Sequence, residues 1–416
     1  MRTFLVLLTL FFALNSQAQK RTPNIVIIFI DDMGYADIGP FGAKGYATPH
    51  LDRMAKEGRK FTDFYVTQAV CSASRAGLLT GCYNVRVGIL GALGPKATHG
   101  INASEITLAE ICKQKGYATA CYGKWHLGHH KKFLPMQHGF DDYFGLPYSN
   151  DMWPYHPGVL HLPMEQRLKK WTHLPLIDGN KVINPKVTGK DQEQLTTQYT
   201  ERAVSFIEKN KERPFFLYVP HSMVHVPLYV SEKFKGKSKA GLFGDVMMEV
   251  DWSVGQILGT LRKHKLDKNT LVIFTADNGC SPMADFDELA AVGHKPSYVF
   301  RGHKADIYEG GHRIPLLVRW PGQITAGTES AETVCLVDLL ATMSDIHGVA
   351  LSDNAGEDSV SNLPVWRGRE NVESVKSFRE FDDQHLLVKE EKMPNGKTKL
   401  ILRHKQSGDI SERISD

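Results

Sequence analysis

PNIVIIFIDDMG, residues 23–34, joins a β-branched run to two adjacent carboxylates and a glycine turn. Runs of this kind mark strands when turn-forming residues bound them. Amphipathic and β-branched segments then alternate along the chain: HLDRMAKEG (50–58), YATACYG (117–123), QYTERAVSFIEKN (198–210), PFFLYV (214–219), VDWSVGQILGTLRKH (250–264) and TLVIFTA (270–276). Helices alternating with strands predict an α/β fold, with a large, mostly parallel sheet flanked by helices on both faces. Residues 151–191 (DMWPYHPGVLHLP, KKWTHLPLIDGN) break the alternation and predict an inserted loop or hairpin. After about His347 the polarity rises. There DQHLLVKEEK and GKTKLILRH predict an antiparallel hairpin in a small C-terminal α+β subdomain, residues 347–416.

The first 18 residues have a basic start, an apolar run from Phe4 to Leu14 and the triplet Ser16-Gln17-Ala18, the pattern of a cleaved signal peptide. A secreted or periplasmic location is therefore expected, with residues 19–346 as the main domain. No stretch approaches the ~20 apolar residues of a membrane span. The 50 Lys and Arg nearly balance the 46 Asp and Glu, so no basic groove for nucleic acid is expected. The six cysteines include no CxxC pair, which argues against a zinc knuckle or a thioredoxin-type site. Export would permit disulfides, but the spacing does not define which cysteines pair.

In open parallel sheets, ligands bind beyond the carboxyl ends of the strands. PNIVIIFI ends in Asp31 and Asp32, and TLVIFTA in Asp277 and Asn278. Either pair alone would be read as a turn or cap; together they make an all-oxygen set suited to a hard cation such as Ca²⁺ or Mg²⁺. YATACYG runs into Lys124-Trp-His126, and continued extension would put ammonium and imidazole on one side, as an anion site needs. PFFLYV leads to His221 and His225, either of which is a candidate proton donor or a packed structural histidine. Lys304 precedes a Gly-Gly turn that Glu309 and Arg313 are expected to hold. CSASRAGLLTG (71–81) predicts a helix from Ser72 to Thr80, with Cys71 at its positive end and Arg75 one turn on. That setting favours a thiolate nucleophile; the alternative is a buried structural cysteine. The residues alone thus predict an anion-handling, metal-assisted site around residue 71.

Seven ordered segments from Pro23 to about Gly368 carry a resemblance: PNIVIIFIDDMGYADIG, TPHLDRMAKEG, CSASRAGLLTG, GYATACYGKWHLG, HGFDDYFG, LVIFTADNG and KADIYEGGHRIPLLVRWPG. In this set the chain resembles the formylglycine-dependent sulfatases of the alkaline phosphatase superfamily. GKWHLGH, HGFD and PYSND are most similar to the branch of arylsulfatase A and N-acetylgalactosamine-6-sulfatase. The resemblance implies an alkaline phosphatase-like sandwich, a sulfuric ester hydrolase, and a Cys71 oxidised to formylglycine by a maturation enzyme, a transient partner. By the same resemblance Asp31, Asp32, Asp277, Asn278 and residue 71 would hold Ca²⁺. Arg75 would orient residue 71, and Asp277 would take the attacking proton. Lys124 and Lys304 would bind sulfate, His126 would assist the second step, His225 would protonate the leaving alcohol, and Ser149 would line the sulfate site. Ala73 stands where the family's maturation motif commonly has proline, which bears on the type of maturation enzyme.

A sulfated saccharide is the expected substrate, because Trp153, Tyr155, His156 and Trp171 in the insert could stack on sugar rings and read hydroxyls. The alternative is that they pack the insert onto the domain. Two other functions compete: a formylglycine-dependent phosphodiester or phosphonate hydrolase, and a noncatalytic glycan-binding relic. The absence of an Asp-His pair argues against a two-metal phosphatase. Retention of every charged site position argues against the relic, since a decayed site would have shed costly unpaired charges.

Overall fold

In the computed structural model, residues 22–369, 379–380, 385–392, 397–404 and 410–415 are described. The leader-like residues 1–18 lie outside them. Strands are numbered β1 (Asn24–Ile30), β2 (Arg59–Tyr65), β3 (Ala118–Tyr122), β4 (Asp142–Gly145), β5 (Leu176–Asp178), β6 (Lys181–Asn184), β7 (Phe215–Pro220), β8 (Thr270–Ala276), β9 (Arg313–Arg319), β10 (Thr328–Ser330) and β11 (Val334–Cys335). They form one sheet in the order β10-β2-β9-β8-β1-β7-β3-β4-β5-β6, with β11 also on β2. The centre is parallel: β1 lies between β7 and β8, and β3 between β7 and β4. The strand β9 runs antiparallel to both its neighbours.

Every residue of β1, β7 and β8 is buried, as strands covered on both faces must be. Two helix groups cover them. Gly189–Lys209, Gly241–Lys263 and Pro49–Glu57 pack in series, and Cys71–Thr80, Leu108–Gln114 and Leu339–His347 form the second group. Helix Pro49–Glu57 has no cap from its own Thr48. Instead Asp251, from the middle of Gly241–Lys263, accepts the N–H groups of His50 (3.2 Å) and Leu51 (2.8 Å). Burial pushes the Asp251 carboxyl up to about 7.

The insert is more regular than a loop. It carries helix Met164–Lys170 and ends in β5 and β6, which extend the sheet by antiparallel pairing to β4. All six cysteines are free thiols. No helix among the described residues is long and apolar enough to cross a membrane.

One compact unit ends at Glu370 and a second spans Asn371–Asp416. The polarity change near His347 therefore does not mark this division. The chain returns after it: Ser359 donates to the Val337 carbonyl at 2.7 Å, Asn362 bonds Asp338 at 3.1 Å, and Val365 and Trp366 are buried. In the second unit Arg379–Glu380, His385–Lys392, Thr398–His404 and Ile410–Ser415 pair in order, all antiparallel.

Candidate active site

Parallel pairing puts the carboxyl ends of β1, β3, β7 and β8 at one edge, and the pairing of Ile30 with Ala276 makes Asp31 and Asp277 leave the sheet side by side. Asp32 follows in the left-handed region (φ 58°), and its N–H donates to Asp277 Oδ1 at 3.0 Å. Asn278 Nδ2 donates to Asp32 Oδ1 at 2.8 Å, so its carbonyl Oδ1 is left buried with no partner.

Helix Cys71–Thr80 enters this edge with its first residue. Cys71 Sγ lies 3.5 Å from Asp31 Oδ1 and 4.0 Å from Asp32 Oδ1. Four residues on, Arg75 donates to Asp277 Oδ2 through Nε (3.1 Å) and Nη2 (2.8 Å), and to the Lys124 carbonyl through Nη1 (2.7 Å). The Lys124 ammonium pairs with the Asp31 carboxylate and lies 3.3 Å from Ser149 Oγ. Lys304 Nζ sits 2.7 and 2.8 Å from the two oxygens of Asp32. His225 donates through Nδ1 to the Val226 carbonyl; its Nε2 lies 3.3 Å from Ser149 Oγ and 3.5 Å from Asp32 Oδ2.

Three buried carboxylates thus face three cations. Burial raises the Asp31 carboxyl, but Lys124 and Arg75 more than reverse this and hold it well below the usual range. For Asp277 burial and the charge of Asp31 win over Arg75, pushing it up to about 7. Burial lowers the Lys304 and Lys124 ammoniums, and the neighbouring carboxylates, Asp32 and Asp31 respectively, return both to above their ordinary value. Burial also lowers His225.

Cys71 departs from the thiolate expectation. Burial drives its thiol up, opposed by Lys124 and Lys304 and aided by Asp31 and Asp277. The helix terminus does not overcome desolvation here. His126 departs in position. The strand stops at Tyr122, so its alternation does not reach residue 126, which adopts φ 62°. Its Nε2 donates to the Leu93 carbonyl at 3.0 Å, and its Nδ1 is buried without a partner.

Asp31, Asp32, Cys71 and His225 offer donor atoms all within 4.8 Å of one another. With Asp277 at hand and the orphaned Asn278 carbonyl, the surrounding donors are mainly hard oxygens, and the residues fit calcium better than zinc. His221, the other candidate donor, is buried with Nε2 3.1 Å from Ser253 Oγ, away from the cluster. Glu309 and Arg313 hold their turn through a 3.0 Å ion pair.

In the insert, Trp153 is only 3% exposed and packs edge-on to Tyr155 and Tyr229, so it serves packing, while Tyr155 is 46% exposed. His156 stacks on Trp171 with ring centres 5.6 Å apart. Sequence reasoning missed Asp37 and His294. Their Oδ1 and Nε2 lie 2.8 Å apart, both side chains fully buried, and the neighbouring Ala36 N–H bonds the Pro296 carbonyl at 2.7 Å. These links tie the Asp31-Asp32 loop to the segment leading to Lys304.

A family model described as Sulfatase matches residues 23–349. Arylsulfatase G of Rattus norvegicus is 37% identical over 380 residues, covering 86% of this chain and 71% of the relative. N-acetylgalactosamine-6-sulfatase of Canis lupus familiaris is 36% identical over 371 residues, covering 85% and 68%. The crystal structure of a sulfatase from Pseudoalteromonas sp. superposes with a TM-score of 0.75 at 26% identity, covering 97% of this chain and 83% of that one. An alkaline phosphatase-like α/β framework, the converged strand-end residues and these similarities together establish that the chain belongs to the sulfatase family of sulfuric ester hydrolases.

Proposed function

We propose that the protein is a calcium- and formylglycine-dependent sulfatase that cleaves a sulfate ester on a saccharide, releasing inorganic sulfate and an alcohol. The observation that carries this reading is the buried Cys71 at the centre of the set of Asp31, Asp32, Arg75, Lys124, Ser149, His225, Asp277 and Lys304. A buried thiol is a poor nucleophile, which favours residue 71 as the precursor of formylglycine, whose hydrated form supplies a hydroxyl able to attack sulfur. Asp31, Asp32, Asp277 and Asn278, with residue 71, would hold calcium, which when bound supplies positive charge to the sulfate oxygens.

The chain's own side chains do the remaining work. Arg75, anchored on Asp277 and the Lys124 carbonyl, orients residue 71. Asp277, with its raised carboxyl, is matched to taking a proton near neutrality. Lys124 and Lys304 bind and neutralise sulfate oxygens, and Ser149, bridging Lys124 and His225, fixes one of them. The Nδ1 bond of His225 to Val226 leaves Nε2 as its titrating atom, aimed at the leaving alcohol. His126, with a bare Nδ1, assists the second step.

A saccharide is supported by the name of one relative, N-acetylgalactosamine-6-sulfatase, and by the exposed Tyr155. The leader-like residues 1–18 support export to the periplasm or beyond, where matured protein would act. The test is the peptide mass around Cys71 after co-production with a maturation enzyme that accepts Ala73, alongside sulfate release from sulfated monosaccharides. Replacement of the thiol by an aldehyde together with sulfate release is expected. Sulfate release from protein with unmodified Cys71 would sink the formylglycine mechanism. Aldehyde formation with cleavage of phosphonate esters alone would move the function to that class.

A further inference from the structure

Beyond His225 the chain encloses a cavity of about 320 Å³. Its lining combines apolar side chains, among them Val226, Pro227 and Phe243, with three carboxylates, Asp151, Asp285 and Glu288. Val226 adjoins His225 and Asp151 is two residues from Ser149, so the lining begins within about 4–8 Å of the chain positions that carry the leaving-group side of the site. The volume is at the lower end of ligand cavities, the size for one ring and not an extended oligosaccharide.

The charge of this cavity opposes that of the sulfate pocket. No lysine or arginine lines it, and among the described residues none lies within ion-pair distance of Asp151, Asp285 or Glu288. His156 accepts the Gly158 N–H on Nδ1 at 3.0 Å, which puts its ring proton on Nε2, 3.8 Å from Asp151 Oδ2. Asp151 Oδ1 is buried and has no partner. The carboxylates open to a ligand are those of Asp285 and Glu288, both exposed. A lining of apolar side chains and carboxylate acceptors suits a sugar ring, whose C–H groups can meet the former and whose hydroxyls can donate to the latter. A sulfate or uronate there would meet like charges at close range.

Resting on the sulfatase reading, we propose that this cavity seats an uncharged saccharide ring beside the scissile sulfate, and that Asp285 and Glu288 select glycans with no second anion at that position. Asp285 caps helix Phe286–Ala291 by accepting the Glu288 N–H at 3.1 Å, a role that asparagine retains. The double variant Asp285→Asn/Glu288→Gln therefore removes charge while keeping shape.

The test is calorimetric titration of N-acetylgalactosamine 6-sulfate and of its 4,6-disulfate into calcium-loaded Cys71→Ala protein, which turns neither over. The monosulfate is expected to bind about tenfold more tightly. In the double variant on the same background the gap should shrink to under about threefold; both probes lose the same hydroxyl contacts, so the ratio isolates the charge. Equal binding of the two probes, an unchanged gap in the double variant, or no binding of the monosulfate would each overturn the proposal. Sulfate release from 4-methylumbelliferyl sulfate by the matured native protein tests the sulfatase reading separately. Its failure beside an intact binding preference would remove the chemistry and leave the selectivity standing.

Discussion

Arg75 and Asp277 are joined through a single carboxylate oxygen: Oδ2 accepts both Nε and Nη2, while Oδ1 accepts the Asp32 N–H. One fork therefore fixes the helix bearing Cys71, the end of β8 and the turn after β1. Arg75→Ala should leave a buried carboxylate unpaired and destabilise the fold by about 3–5 kcal/mol. Chemical denaturation measures this, and sulfate release should fall below detection. Arg75→Lys, which keeps the charge without the fork, should recover part of the stability and little of the activity.

Unmodified protein should be inactive at neutral pH and below, because burial raises the Cys71 thiol above its ordinary value and disfavours the thiolate. A pH series of sulfate release by protein made without a maturation enzyme checks this; activity rising with pH would mean that a thiolate is the nucleophile. Cys71→Ala should fold normally, since the thiol makes only long contacts to Asp31 and Asp32.

His225→Ala should slow release from sulfated sugars by about 100-fold or more, the contribution of a placed general acid. Release from 4-nitrophenyl sulfate, whose leaving group needs no proton, should fall far less. Equal losses on both substrates would reassign His225 to binding.

Calcium should raise the melting temperature of the native protein, and chelation should reverse it; at 100 times Kd the stabilisation is about 2.7 kcal/mol. Asn278→Ala removes the orphaned carbonyl and should weaken calcium binding, read as a smaller melting shift at fixed calcium. An identical shift in the variant would take Asn278 out of the ligand set.

Asp251 gives the fold a pH dependence of definite sign. Its carboxyl is raised in the folded state, so the native protein binds the proton more tightly than the unfolded chain does. The resulting stability is fully present below pH about 4 and is lost as the pH rises to about 7. Relative to Asp251→Asn, the native protein should lose roughly 3–4 kcal/mol between those limits. Denaturation midpoints at the two pH values measure it, and a gap that does not change with pH would refute it.

The carboxylate cluster was legible because parallel strands end at one edge, so runs closing in Asp31-Asp32 and Asp277-Asn278 point to the same place. The same logic located Lys124, whereas Cys71 and Arg75 were read from the start of a helix and the spacing of one turn. It could not choose between His221 and His225, which sit in irregular chain where spacing carries no directional information. Nor could it see that Trp153 is spent on packing while its neighbour Tyr155 is exposed, since composition alone does not say which aromatic covers which. Asp37 and His294 are 257 positions apart, and only the folded chain brings them together. Cys71 shows a different limit: helix polarity is readable from sequence, whereas the depth of burial that opposes it is not.

The strand before the insert, β4, pairs directly with β5 within it, Phe144 opposite Asp178 and Gly145 opposite Ile177. The excursion between them therefore leaves and rejoins the framework at nearly the same point. Lengthening such a closed excursion costs only about 0.6 kcal/mol per doubling. Residues between the Ser149 turn and β5 can be exchanged for others of different length while the strands that aim the catalytic groups stay in register. The segment is thus a detachable piece on a fixed framework, and grafting insert segments between family members tests whether it sets substrate preference.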